Sequence, residues 1–316
     1  MIGISQQLTL ILFFFCTSVY ADKPLDYNVY HKAVIEAEEL IASENYKDAL
    51  RIYDRLLGEY DFVFLREYQV ATQLAFYLGD KEKAITYLQE GIRSGWTMKS
   101  IKNNNFLKPL RKEEDWKLVR KKYRNLRKQH TFTWNSEIRK QVKKMYSKDQ
   151  RKALKALFKF GSKAKERYAE RRFAPHSEKQ IQEFSNILDA YGFPSERLIG
   201  NRYWMSTILS HHNSISTPYT KKDSSYPKLK PKLMVCLQNG QISPYEFAVI
   251  DDWYLSVKYN RKEPTYGILD RPTPAKLSKT NALREKINMR PYELRDALIL
   301  IEKKIGVDLY LSDRWY

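Results

Sequence analysis

Two segments near the start of this sequence carry the same helical pattern, 35 residues apart. Ala49 and Ala84 occupy equivalent positions, and each is followed four residues later by a large side chain, Tyr53 or Leu88. Residues four apart lie on one face of a helix, and a small residue lets a neighbouring helix approach closely. The pattern therefore predicts helical hairpins between residues 27 and 95.

A period of about 34 residues with small and large residues alternating in this way is typical of tetratricopeptide repeats. The segment resembles that family, which implies an array of α-hairpins that binds a protein or peptide in a concave face. A pair of repeats this short is equally consistent with a plain scaffold. Because two repeats leave their core open at one end, we expect the segment from Trp96 to Trp116 to cap it.

The rest of the chain also shows helical spacing of apolar residues, and strand signals are scarce. Ser177 with Gln180, and Ser243 with Glu246, match the capping box that begins a helix. Gly192 and Gly306 are placed to end helices. Two further helices and two loops are predicted, with helices at 198–213 and 291–304 and loops at 214–232 and 259–274.

These patterns predict an all-α fold. A chain of 316 residues is long enough for two domains with separate cores. The predicted order is a short tetratricopeptide-like array, a basic helical linker and a compact, mostly helical C-terminal domain. The predicted segments are a signal peptide at 1–21, the repeats with their cap at 22–130, the linker at 131–175 and the C-terminal domain at 176–316.

The first 21 residues have the features of a secretory leader. An apolar core from Leu8 to Val19 is too short to span a bilayer, and Ala21 provides a small residue for cleavage. We therefore expect export to the periplasm or the extracellular space, with an uncleaved N-terminal anchor as the alternative. Cleavage would remove Cys16 and leave Cys236 as the one cysteine, so no intramolecular disulfide is expected.

The excess positive charge of the chain lies in one segment. Residues 99–172 contain 26 Lys and Arg against 7 Asp and Glu, whereas the remainder of the chain is balanced. A stripe of apolar residues, from Ile138 through Val142 and Met145 to Leu154, Leu157 and Phe158, indicates amphipathic helices with basic faces. The predicted anion-binding residues are Lys121, Lys122, Arg124, Arg127, Lys128, Arg139, Lys140, Lys143 and Lys144.

A field of one sign attracts anionic polymers or lipid head groups, so an anionic component of the envelope is the predicted partner of this segment. A surface that only keeps the protein soluble is the alternative interpretation. The segment matches no recognised reader of bases, and an exported protein meets lipid, polysaccharide or peptide more often than DNA. Nucleic acid is therefore not the expected partner.

A second resemblance covers residues 149–292. The motifs occur in a fixed order: Asp149-Gln150, Tyr191-Gly192-Phe193-Pro194, Gly200, His211-His212, Gly240, Tyr245 to Asp252, Tyr266-Gly267 and Asn281 to Arg284. The order is similar to that in a bacterial domain of unknown function, which is often exported and often preceded by helical repeats. Members usually have Gln-His and Asp-Arg where this chain has His211-His212 and Asp251-Asp252. The resemblance implies no activity.

The candidate catalytic residues are His211, His212, Asp251, Asp252 and Arg284. A His from one helix and an Asp from another can form the acid–base pair of a hydrolase or a half-open metal site. Adjacent residues on a helix point about 100° apart, so only one member of each pair can serve. The alternative is that these groups hydrogen-bond inside the fold and hold helices together.

Motifs for other chemistry are missing from the sequence. Neither His211 nor His212 has a second His four residues on, and the chain has no Gly-rich phosphate loop, Gly-x-Ser-x-Gly elbow or cysteine cluster. No metal and no cofactor is therefore predicted. The favoured function is an exported envelope protein that binds protein partners or acts as a scaffold, with a basic surface for anionic partners. The alternative is a hydrolase with a His/Asp site in the C-terminal domain.

Overall fold

The computed structural model describes residues 25–311, and every regular element in that range is helical, which confirms the all-α prediction. The predicted leader lies outside the described residues. The helices of the first half are α1 (Tyr27–Ala42), α2 (Tyr46–Glu59), α3 (Leu65–Tyr77), α4 (Lys81–Arg93), α5 (Met98–Asn103), α6 (Glu114–Phe132) and α7 (Ser136–Leu157). Those of the second half are α8 (Ser162–Tyr168), α9 (Ala174–Tyr191), α10 (Glu196–Ile199), α11 (Trp204–Asn213), α12 (Thr217–Lys222), α13 (Ser225–Gln238), α14 (Pro244–Lys258), α15 (Pro274–Glu285) and α16 (Tyr292–Ile305).

The first four helices form two packed hairpins, α1 with α2 and α3 with α4. Ala49 and Ala84 are fully buried at equivalent positions of α2 and α4, as the repeated pattern requires. Asp80 begins α4 by accepting a hydrogen bond from the backbone N–H of Lys83. This arrangement is compatible with helical repeats.

The open end of the hairpins is covered from two directions. Trp96, Leu110 and Val119, which follow the hairpins in sequence, are buried in the same core. The chain also returns to this core at its far end, where Leu298 of α16 and Leu309 of the extended segment after it are buried. The N-terminal hairpins and the C-terminal segment therefore share one hydrophobic core.

The extended segment after α16, residues 307–311, lies along α3. The side chain of Gln73 donates a hydrogen bond of 2.6 Å to the Asp308 carbonyl oxygen and accepts one of 2.8 Å from the Asp308 N–H. Arg66 donates a hydrogen bond of 3.0 Å to the Leu309 carbonyl oxygen. Because α16 packs against α1, the chain's own C-terminal segment covers this side of the two hairpins.

The second core is built by α7, α9, α11, α13 and α14. Ile138, Val142 and Met145 of α7 are buried in it, in agreement with the predicted apolar stripe. Farther along the stripe, Leu154 and Phe158 are exposed, contrary to the prediction. The end of α7 meets the short helix α8, which has no buried residue, and Leu154 and Phe158 remain open to solvent.

Two local predictions in the C-terminal half are wrong, in each case where proline lies within a helix. Pro175 lies in the first turn of α9, so Ser177 is inside the helix and not its N-cap. The predicted loop at 214–232 contains α12 and most of α13, with Pro218 in the first turn of α12 and Pro231 inside α13. The capping box at Ser243 is confirmed, because its hydroxyl accepts a hydrogen bond from the Glu246 N–H.

Two glycines shape the approach to the histidine-bearing helix. Gly192 ends α9 with a φ of 81°, as predicted. Gly200 has a φ of 77°, and a Cβ at this position would approach the Trp134 ring to 2.5 Å. Since only glycine fits such a site, the predicted single helix at 198–213 is divided into α10 and α11 at this point.

Candidate functional site

The structure pairs His211 with Asp149. His211 Nδ1 lies 2.6 Å from Asp149 Oδ2, and the Asp149 side chain is fully buried. A carboxylate can only accept, so Nδ1 carries the proton and Nε2 is left as a base. The His211 side chain is 31% exposed and lines a cleft of about 550 Å³ formed mainly by α8, the π-helical turn Ala169–Phe173 and residues 214–218.

His212 points into the protein and has different partners. Its Nδ1 lies 3.0 Å from the Ser177 hydroxyl, and its Nε2 lies 3.3 Å from Asp223 Oδ2. Asp223 also accepts hydrogen bonds from the backbone N–H groups of Ser225 and Tyr226 at the start of α13. Burial opposes ionisation of Asp223, but His212 and the two backbone N–H groups together outweigh it and lower the pKa of the carboxyl. Because Ser177 and His212 are both sealed from solvent, this trio joins helices and cannot meet a substrate.

Asp251 is a buried anchor for three side chains. Its carboxylate accepts hydrogen bonds from the hydroxyls of Tyr226 at 2.9 Å and Tyr266 at 3.0 Å, and from Lys230 Nζ at 2.7 Å. The side chain has no exposed surface. It therefore ties α13 and the loop after α14 to α14 itself.

Asp252 and Arg284 hold the backbone of the loop at 265–269. Asp252 accepts hydrogen bonds from the N–H groups of Tyr266, Ile268 and Leu269. Arg284, which is fully buried, donates a hydrogen bond of 2.7 Å to the Tyr266 carbonyl oxygen. The structure thus brings Asp251, Asp252 and Arg284 together around Tyr266, and neither histidine hydrogen-bonds Asp251 or Asp252.

Most of the predicted anion-binding residues are exposed on α6 and α7. Two of the nine are used in packing. The guanidinium of Arg139 lies 3.9 Å from the ring centre of Trp134, 5.0 Å from that of Trp204, and donates to the Ile199 carbonyl oxygen. Arg127 is half-buried, and burial lowers its pKa. The other seven are exposed and form no ion pair with a described carboxylate, namely Lys121, Lys122, Arg124, Lys128, Lys140, Lys143 and Lys144.

The connection between α7 and α8 presents large apolar side chains to solvent. Phe158 is 70% exposed, Phe160 is 95% exposed and Leu154 is 52% exposed. We call residues 151–165 the α7–α8 tip. It contains six basic residues and no Asp or Glu, namely Arg151, Lys152, Lys155, Lys159, Lys163 and Lys165.

A cavity of about 490 Å³ lies between the N-terminal hairpins and the C-terminal half. Sequence reasoning missed it, because its residues come from α1, α3, α10 and the loop before α16. Glu38 in its wall receives two hydrogen bonds of 2.7 Å from Arg290 and contacts Arg66 at 2.6 Å. Burial opposes ionisation of Glu38, yet the two arginines hold the pKa of this carboxyl below its usual value.

Glu67 lies 3.8 Å from Arg66, whereas Glu196 and nearby Glu246 have no ion-pair partner among the described residues. Burial raises the pKa of Glu67 to about 7, and it raises those of Glu196 and nearby Glu246 to about 8. Burial lowers the pKa of His31, which also lines the cavity, to about 3. One sequence signal pointed here, since Glu38 lies on the apolar face of α1 between Val34 and Ile41.

Comparisons with family models, curated proteins and solved structures found no match to this chain. Within residues 25–311, no helix is long and apolar enough to span a membrane. The same residues contain no group of three or more His, Cys, Asp or Glu side chains arranged to hold a metal ion.

Proposed function

We propose that this chain is a binding protein of the cell envelope that docks onto an anionic lipid surface through the α7–α8 tip. The observation that carries the proposal is the combination of exposed Leu154, Phe158 and Phe160 with six basic residues and no carboxylate. Large exposed apolar groups in a soluble domain usually mark an interaction surface. Because the residues around these apolar groups are basic, an anionic membrane is favoured as the binding partner over an apolar protein surface.

The energies of the two contributions are comparable. Burying a phenylalanine side chain is worth about 1.5–3 kcal/mol, and each Lys or Arg near an anionic leaflet contributes about 1 kcal/mol. The aliphatic stems of Lys155 and Lys159 can lie along the apolar layer while their ammonium groups stay at the head groups. The seven exposed cations of α6 and α7 add a longer-range attraction that salt weakens.

Co-sedimentation with vesicles tests the proposal. We expect binding to vesicles of phosphatidylglycerol and phosphatidylcholine at low salt, and little binding to phosphatidylcholine alone. The double variant Phe158→Ser/Phe160→Ser should weaken binding at least tenfold. The matched control is Leu300→Ser, which removes an apolar side chain that is 65% exposed on α16. This variant should bind vesicles as the unmodified protein does.

A second set of variants tests the charge. Lys155→Gln/Lys159→Gln/Lys163→Gln should weaken vesicle binding at least tenfold. Lys47→Gln/Lys279→Gln/Lys286→Gln makes the same charge change at exposed positions elsewhere and should have little effect. Binding to dextran sulfate without binding to anionic vesicles would show that the partner is a soluble polyanion, and the lipid proposal would be abandoned.

Two family resemblances of the sequence support further proposals about this chain. We propose that the first hairpins are of tetratricopeptide type, that the C-terminal half is of the uncharacterised exported type, and that the protein is exported. The 35-residue offset of buried Ala49 and Ala84 supports the first of these. A protein or peptide partner of the hairpins would bind on α2, because the chain's own C-terminal segment covers the side formed by α1 and α3, and α6 packs against α4.

A hydrolase is the second candidate function, and the His211 to Asp149 contact favours it. The contact places a basic Nε2 beside a cleft of about 550 Å³. The test is hydrolysis of p-nitrophenyl acetate by the unmodified protein and by His211→Asn. Loss of at least tenfold in rate with retained circular dichroism would support the candidate, and an unchanged rate would remove it. The comparison variant is His212→Asn, which should lower the stability of the folded protein.

A further inference from the structure

The cavity between the hairpins and the C-terminal half is lined by polar groups that lack partners. Glu67 is 5% exposed, and its Oε2 has no hydrogen-bond partner among the described residues. His31 is 4% exposed, and its Nε2 also has none. Its other ring nitrogen donates to the Leu237 carbonyl oxygen, so Nε2 is an acceptor. Leaving buried polar atoms unpaired is costly, and a ligand can remove the cost.

Unmatched hydrogen-bond acceptors are present on two side chains of the cavity, Glu67 and His31. Glu196 accepts one bond of 2.7 Å from the Leu65 N–H at the start of α3 and has no ion-pair partner among residues 25–311. The guanidinium groups of Arg66 and Arg290 are already engaged by Glu38, and Arg66 also donates to the Leu309 carbonyl oxygen. Among the lining residues, Glu67 Oε2 and His31 Nε2 are the unmatched acceptors, and Asn201 Nδ2 is an unmatched donor.

The walls of the cavity are partly apolar. Val34 and Ile35 of α1 line it on one side, and Met289 lines it on another. Tyr203 lies at the edge of the cavity and is 62% exposed, so the cavity reaches the protein surface. Aromatic faces attract cations, and apolar walls accept methylene groups.

We propose that this cavity binds a small organic cation, an ammonium group carried on a short alkyl chain. An ammonium group has three N–H donors and no acceptor, which complements Glu67 Oε2, Glu196 and His31 Nε2. A volume of about 490 Å³ is within the usual range for small-molecule sites. The assignment is independent of the lipid-docking proposal, because no residue of the α7–α8 tip lines the cavity.

Proton release provides a signature of binding. Burial raises the pKa of Glu196 to about 8 and that of Glu67 to about 7, so near pH 7 Glu196 is mostly protonated and Glu67 is about half protonated. Glu67 faces Arg66 on its own helix, Tyr30 and Glu38 from α1 and Glu196 from α10. Glu196 in turn faces Asn201 and the charge of Glu246. A bound ammonium group favours the ionised form of a nearby carboxyl, so binding should release protons.

Isothermal titration calorimetry with 1,5-diaminopentane tests the proposal at pH 7. We expect saturable binding whose enthalpy changes with the ionisation enthalpy of the buffer, in the direction of proton release. The uncharged analogue 1,5-pentanediol has the same chain length and should bind at least tenfold more weakly. Equal binding of diamine and diol, or no binding of either, would overturn the proposal.

Variants assign the site. Glu67→Gln and Glu196→Gln should each weaken diamine binding at least tenfold, because each removes a carboxyl that would ionise beside the bound ammonium group. Glu36→Gln makes the same change at an exposed position of α1 and should bind within twofold of the unmodified protein. Circular dichroism checks folding. If one cavity variant does not fold, the other variant and the buffer dependence of the unmodified protein still decide the question. Unchanged affinity in a folded cavity variant would contradict the proposal.

Discussion

Arg290 donates two hydrogen bonds of 2.7 Å to the carboxylate of Glu38, a residue 252 positions earlier in the chain. The side chains of Glu38 and Arg290 are 1% and 12% exposed, so the ion pair is almost completely shielded from solvent. Arg66 contacts the same carboxylate at 2.6 Å. One carboxylate on α1 thus compensates two guanidinium groups and joins the hairpins to the C-terminal half.

Removing this carboxylate should be strongly destabilising. Glu38→Gln leaves two buried arginines without their counter-ion, and breaking a buried ion pair from one side typically costs about 3–5 kcal/mol. Urea unfolding followed by circular dichroism measures the change. Glu44→Gln is the matched control, because Glu44 pairs with Lys304 across 260 residues but on the exposed surface, where solvent screens the charges. Equal losses in the two variants would show that burial of the Glu38 cluster has no special effect.

Asp252 should determine the stability of the loop at 265–269. Asp252→Ala removes the acceptor of three backbone N–H groups, and each buried donor left unpaired costs about 1–3 kcal/mol. We expect a loss of about 3 kcal/mol or more, together with faster amide exchange at Ile268 and Leu269. Asp270→Ala, at the exposed end of the same loop, should cost much less. Unchanged exchange in Asp252→Ala would contradict this role.

The buried glutamates should make the protein less stable at alkaline pH. The folded-state pKa of Glu246 is raised from 4.5 to about 8 by burial, so the folded protein holds a proton that the unfolded chain releases. The stabilisation is complete below pH 4.5 and is lost as the pH rises through about 8. Glu67 and Glu196 act in the same direction.

Buried histidines act in the opposite direction but in a lower pH range. Burial lowers the pKa of His31 to about 3 and that of His130 to about 4, so their contribution is complete above pH 6.5 and is lost on acidification. Between pH 6.5 and 8.5 the glutamates therefore dominate. The melting temperature should fall over this interval. Glu246→Gln should reduce the accompanying loss of unfolding free energy by an amount on the order of 1 kcal/mol. A melting temperature that is flat or rising in the unmodified protein would contradict this assignment.

Arg139 and Lys143, both predicted to bind anions, should behave differently. Arg139→Lys keeps the charge but loses the stacking between Trp134 and Trp204, and it should cost about 1–2 kcal/mol of stability without weakening vesicle binding. Lys143→Gln should leave stability within about 0.5 kcal/mol, because the side chain is exposed, and should weaken vesicle binding. Thermal melts and vesicle sedimentation on the same preparations measure both effects, and the reverse pattern would show that Arg139 is the contact residue.

Local patterns predicted the features that depend on neighbours in sequence. The spacing of Ala49 and Ala84 indicated the hairpins, and Ser243 and Gly306 marked a helix start and a helix end. The same reasoning failed at residues 214–232, because proline within a helix, as at Pro218 in the first turn of α12 or Pro231 inside α13, is hard to distinguish from proline in a loop. It also predicted one continuous helix across Gly200. The need for glycine at this position arises from contact with the Trp134 ring, which is distant in sequence.

The sequence by itself determined that the chain is helical, which helices pair as hairpins, and that the surplus of Lys and Arg lies in one segment. Only the tertiary structure decided the partners of the charged side chains, with His211 at Asp149, His212 at Asp223 and Glu38 between Arg66 and Arg290. The physical reason is the range of the forces. Helix periodicity and capping act over a few residues, whereas these contacts join positions brought together by the packing of two cores.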